Sequence, residues 1–120
     1  MGSPDDLTTF ITSSFRSVWA LELLLLLKRE ATAIPSEDLV ARMRASSSVI
    51  ENAQRELVSA GLVIVEGDDA RYMPVSAQVD ALVDQTEELY SVRPDWVRRL
   101  IVASSNPGLA AFSSAFRLKD

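Results

Sequence analysis

The chain contains neither cysteine nor histidine. The first absence excludes disulfides, thiolate metal centres and cysteine nucleophiles. The second removes the commonest catalytic base and the commonest metal ligand together. Glycine and proline are also scarce, at four and five positions. That excludes collagen-like and low-complexity architectures and leaves no glycine-rich phosphate loop. Basic residues are outnumbered, with 12 Lys and Arg against 17 Asp and Glu and a net charge of −5. A chain of that balance is not a general nucleic-acid or anionic-membrane binder, so contact with a polyanion has to come from a local cluster. Long apolar runs are missing too. The most apolar stretch, Val18 to Leu27, contains Glu22 and is about half the length a bilayer crossing needs. Asp5 and Asp6 stand where a secretory signal would carry basic residues, so the expected location is the cytoplasm and no membrane partner is expected.

What is present suits one folded domain. The 120 residues are 48% hydrophobic and 24% charged, and no internal repeat or linker divides them, so 1–120 reads as a single unit. Met1 to Pro4 is given no structural role. Asp5 or Asp6 is expected to cap a helix from about Leu7, with Ser13-Ser14 separating a short helix from a longer one. Leu23 to Leu27 is apolar on every face, the mark of a central buried helix, and Lys28 and Arg29 close it where cations suit the helix dipole. Ala31 to Ile34 reads as a connector, and Pro35 as the first turn of a short helix that ends near Arg44. Ser48 and Glu51 have capping-box spacing, and Ile50, Ala53, Leu57 and Ala60 then line one face of the next helix. Gly61 ends it where a left-handed residue is wanted. Two short β-rich runs, Leu62 to Val65 and Arg71 to Met73, flank Gly67-Asp68-Asp69 and read as a hairpin. A long amphipathic helix follows, carrying Val79, Leu82, Val83, Thr86, Leu89 and Tyr90. Pro94 opens another with Trp96, Val97, Leu100 and Ile101. Leu109, Phe112 and Phe116 mark a last short helix beyond Asn106-Pro107-Gly108.

The fold class expected is mostly α with a small β-hairpin. Helix, helix, turn, helix and hairpin in that order is the winged helix-turn-helix plan. The stretch Ser48 to Val63, with its Leu57…Ala60-Gly61-Leu62-Val63 ending, resembles a recognition helix and its exit into the wing. Glu66-Gly67-Asp68 resembles the wing turn and Tyr72 the returning strand. Over about residues 15–75 the chain is similar to small bacterial transcription regulators of the MarR and ArsR type. Its extra N- and C-terminal helices, the latter at about 76–117, resemble their dimerisation helices. The resemblance implies a homodimer that meets duplex DNA through the helix at about 48–60. Carried onto this chain, the residues implied at the bases are Ser47, Ser48, Val49, Glu51, Asn52 and Arg55, with Asn52 suited to adenine and Arg55 to guanine or a phosphate. Arg42, Arg44 and Arg71 are implied at phosphates, and Leu82, Leu89, Tyr90, Leu109, Phe112 and Phe116 at the dimer seam.

The charge pattern keeps a second class open. Between Ser36 and Tyr72 stand four arginines, no lysine and seven acids, a net −3. The wing tip, Glu66 to Asp69, carries three of those acids where such regulators usually place arginine or lysine. A winged helix without a basic surface suits a protein–protein interaction module, an adaptor or anti-activator, instead. An enzyme is not expected. The serines lack a histidine base, nothing places Lys28 or Lys119 beside one, and adjacent Glu87 and Glu88 face different directions on a helix. No calcium-loop pattern is present, so neither metal nor cofactor is expected. If Phe112 lies on the dimer seam, Phe112→Asp shifts the protein from dimer to monomer mass in light scattering. An unchanged mass in a folded variant removes Phe112 from the seam.

Overall fold

The computed structural model describes the backbone of residues 4–105 and the side chains of 6–104. The elements run α1 (Pro4–Ser14), α2 (Val18–Glu30), β1 (Ile34–Pro35), α3 (Ser36–Met43), α4 (Ser47–Ser59), β2 (Val63–Glu66), β3 (Asp69–Tyr72), α5 (Ala77–Val92) and α6 (Pro94–Ser105). The described chain is thus mostly helical, with one small antiparallel sheet in the order β1-β3-β2.

Helix α2 sits at the centre because its composition allows nothing else. Leu21, Leu23, Leu24, Leu25 and Leu27 point in several directions around the helix, and none is more than 1% exposed. The helix therefore has neighbours on several sides, among them α4, β3 and α6. Helix α1 meets it at 102°, and no single helix among the described residues is long and apolar enough to cross a membrane. The break falls at Phe15–Ser17, just after the serine pair that suggested it. Phe15 is buried there, edge-on to Phe10 with centroids 6.0 Å apart, and Ser17 caps α2 by accepting from the Ala20 N–H at 3.1 Å. Helix α1 begins at Pro4, ahead of Leu7 and of the aspartates expected to cap it. Proline is at home in a first turn, where its missing N–H has no helical partner to lose.

Two further expectations shift. Ile34 and Pro35 are not a connector and a helical turn but the strand β1, pairing with Ala70 and Asp69 of β3. Pro35 then stands at the N-cap position of α3, and its lack of an N–H is tolerated on an edge strand. Helix α4 is capped by Ser46, whose hydroxyl accepts from the Val49 N–H at 3.2 Å, so Ser48 and Glu51 form no capping box. Arg44 ends α3 in the left-handed conformation (φ 53°). The chain resumes extended at Ser46 and uses the first of three cap-competent serines.

The inner face of α4 is as expected. Ile50, Ala53 and Leu57 are buried, as is Gln54, which the same spacing places on that face. Gly61 (φ +75°) closes the helix, with its N–H donating to the Val58 carbonyl and that of Leu62 to the Leu57 carbonyl, both at 3.0 Å. This is a Schellman arrangement. The hairpin pairs Val63 with Tyr72 and Glu66 with Asp69, leaving Gly67 and Asp68 as the turn. Gly67 alone of these two has a positive φ, 63°.

Helix α5 is fastened by polar contacts. Lys28 donates to Glu87 at 2.8 Å and pairs with Asp84 at 2.9 Å. The Tyr90 hydroxyl donates to the Glu22 carboxylate, and that of Tyr72 to Asp80 at 2.6 Å. Tyr90, expected at a dimer seam, is instead buried in the chain's own core, because its hydroxyl is drawn to Glu22 on α2. Leu82 and Leu89 stay half-buried, while Leu109, Phe112 and Phe116 lie outside the described residues.

Two stability outcomes follow. Leu57→Ala costs about 2–5 kcal/mol in denaturant unfolding; a loss below about 0.5 kcal/mol would place Leu57 off the core face. Gly61→Ala costs more than Gly67→Ala. Both glycines are left-handed, but a Cβ at Gly61 would lie 2.9 Å from Val75 Cγ1, whereas one at Gly67 meets nothing within 4 Å.

Candidate nucleic-acid interface

An α-helix advances about 100° per residue, so the face of α4 opposite Ile50, Ala53 and Leu57 is the one bearing Ser48, Glu51, Asn52 and Arg55. Ser47, Ser48, Glu51, Asn52 and Arg55 are all exposed. Val49 departs from the expected set. It is half-buried, with its N–H taken by the Ser46 cap, and presents little to a partner.

Side-chain hydrogen bonds hold this helix in register with the hairpin. Gln54 Nε2 donates to Ser36 Oγ at 3.2 Å, and Ser36 Oγ donates to the Asp68 carbonyl at 3.0 Å. The Ser36 N–H donates to the same carbonyl at 2.9 Å. One chain of polar contacts thus joins the buried face of α4, the start of α3 and the hairpin turn. Alternation of polar and apolar residues gives no direct sign of it, although Gln54 at a core position is the residue that signals a buried polar contact.

The arginines divide by what they touch. Arg29 pairs with Glu87, Arg42 with Glu30 at 3.3 Å and Arg98 with Asp95. Arg71, half-buried on β3, reaches the Met73 sulfur. Arg93 lies over the Trp96 ring, and Arg99 donates to the Asp95 carbonyl. Arg16, Arg44 and Arg55 take part in none of the ion pairs or hydrogen bonds among the described residues, and all three border α4. Arg44 precedes its cap, Arg55 stands on its outer face, and Arg16 reaches it from the α1–α2 corner. The Arg42–Glu30 pair is solvent-exposed on both sides, and such pairs contribute about 0–1 kcal/mol, so Arg42 is held only weakly.

Two clefts flank the helix. At its N-terminal end a cleft of about 430 Å³ has Val40 and Ile50 among its lining and the acids Glu37, Glu51 and Asp68 around them. Farther along, a more polar cleft of about 450 Å³ lies between Arg16 of the α1–α2 corner and Asn52, Arg55, Glu56 and Ser59 of α4. Glu56 Oε2 is buried there with no hydrogen-bond partner among the described residues. Burial raises its pKa above the ordinary carboxylate value, while the Arg16 charge and a hydrogen bond with Ser17 hold it down. Sequence reasoning passed over Arg16 and Glu56, since the corner that brings them together exists only in the fold.

Comparison with protein-family models, curated proteins and solved structures finds no match to this chain.

Glu56 makes a pH signature. Its pKa is raised above the ordinary value of 4.5, so the folded chain holds this proton more tightly than the unfolded one. The stability it contributes is complete below pH 4.5 and is lost as pH rises through the folded-state pKa. Glu56→Gln keeps the shape without the charge. Its stability relative to the wild type therefore rises between about pH 4.5 and neutrality in urea unfolding; a difference independent of pH would mean the carboxylate is not desolvated.

Proposed function

We propose that the chain is a winged helix-turn-helix transcription regulator that reads duplex DNA as a homodimer, with α4 as its recognition helix. The order α2, β1, α3, α4, β2, β3 supports this reading, with β2 and β3 as the wing. The observation that carries it is the placement of Arg16, Arg44 and Arg55. Among the described residues, these three guanidiniums have no carboxylate within ion-pair distance, and they border a helix whose outer face is polar and open. A dimer is part of the proposal because one protomer offers few cations. Phosphate contacts set non-specific affinity through counterion release, and two protomers double their number. Val92 and Trp96, on α5 and α6, are 72% and 37% exposed and suit a seam on that side of the molecule.

A second reading is favoured by the acidic cleft. Glu37, Glu51 and Asp68 around Val40 and Ile50 suit a basic side chain of a partner protein, which would make the chain an interaction module.

The two separate in a pull-down of genomic fragments at two salt concentrations, followed by binding titrations on an enriched fragment. The DNA reading expects enrichment that falls with salt. It expects Arg55→Ala to weaken specific binding by about 1–3 kcal/mol with little change in stability. A folded dimer that enriches nothing at low salt overturns the DNA reading and leaves the interaction module.

A further inference from the structure

We infer that Arg16, at the corner between α1 and α2, grips the DNA backbone beside α4 and sets how that helix seats in the groove. The inference rests on the DNA-binding reading above and adds a contact that lies outside the helix-turn-helix segment.

Arg16 lies in the break between Ser14 and Val18 and is exposed. It lines the same cleft as Asn52, Arg55 and Ser59 on α4, so a strand running along the outer face of α4 passes it. One guanidinium on the α1–α2 corner, facing a second with an amide and a hydroxyl on the α4 wall, suits a phosphodiester better than a base edge. Arginine binds phosphate oxygens through a planar fork of donors. The corner adds to this, since α2 begins at Val18, just beyond its Ser17 cap, and its first turn carries the positive end of the helix dipole. The acid of this cleft, Glu56, has one carboxylate oxygen buried, away from a strand at the surface. A phosphate contact of this kind fixes register and orientation without reading sequence.

The test is the salt dependence of binding to a random-sequence duplex, measured by fluorescence anisotropy for the wild type, Arg16→Gln, Arg16→Lys and Arg99→Gln. Each phosphate contact contributes about 0.9 to the slope of log affinity against log salt. Arg16→Gln is expected to lower that slope by about 0.9 per protomer and to leave the order of preferred sequences unchanged. Arg16→Lys keeps the slope, and Arg99→Gln, on the exposed side of α6, leaves it unaltered. Arg16 also lies near Glu56, so the same comparison is made in a Glu56→Gln background, where a residue that served only to neutralise Glu56 would lose its effect. A wild type that binds DNA with the same slope after Arg16→Gln overturns the inference and leaves the DNA reading standing. A folded wild type that binds no duplex at low salt overturns both.

Discussion

The structure depends on burying α2. A helix apolar on one stripe needs one neighbour, but Leu21, Leu23, Leu24, Leu25 and Leu27 cover most of the circumference of this one and leave water only the narrow stripe of Trp19, Glu22 and Arg29. Fully burying a leucine contributes about 1.5–3 kcal/mol, so leaving any leucine face open would forfeit a sizeable part of a domain's net stability. Helix α4, strand β3 and helix α6 are where they are because α2 requires cover on those sides. Its polar residues then orient what covers it. Glu22 takes the Tyr90 hydroxyl and Lys28 takes Glu87 and Asp84, which fixes how α5 is turned. Burial raises the Tyr90 pKa first and the bond to Glu22 raises it further, so the hydroxyl keeps its proton and stays a donor across the physiological range.

Once α2 is covered, the position of α4 has little freedom. Its inner face is held by Ile50, Ala53 and Leu57. Gln54 ties that face through Ser36 to the hairpin turn, and the left-handed Gly61 leads the chain directly from helix into strand. The outer face is left to solvent, and Arg16, Arg44 and Arg55, three of the described arginines outside any ion pair, border it. The fold thereby separates two surfaces that composition alone mixes. Acids crowd the N-terminal cleft and the hairpin tip, while arginines outside the ion pairs of the described residues stand before α4, along it and, beside Glu56, across the second cleft. A net charge of −5 describes the average of these surfaces and neither of them.

Much of this was legible in the residues, and what was missed has a common cause. The buried helix, the Ile50–Leu57 face, the Gly61 stop and the hairpin all follow from local rules: hydrophobic period, cap geometry and turn chemistry. The errors fall where a local rule allows several answers. Three successive serines can each cap a helix, and the one used was decided by where Arg44 ended α3. Tyr90 has the spacing of a seam residue and the burial of a core one, because a carboxylate from α2 meets it. The strand at Ile34–Pro35 has no period to detect, since two residues become a strand only when Ala70 and Asp69 arrive beside them. Of the candidate site, the exposed face of α4 was readable by helical geometry, with half-buried Val49 as the exception.

By itself the sequence determined the class of elements, their order and which faces are apolar, because those depend on each residue and its near neighbours. It also determined what chemistry is closed to the chain, since no arrangement supplies a thiol or an imidazole that is absent. Only the tertiary structure decided which charges cancel. Arg42 meets Glu30 and Arg29 meets Glu87, while Arg16, 26 positions before the first of the expected site residues, Arg42, comes to face α4. Ion pairing depends on distance in space, and that distance is set by how the elements pack around α2.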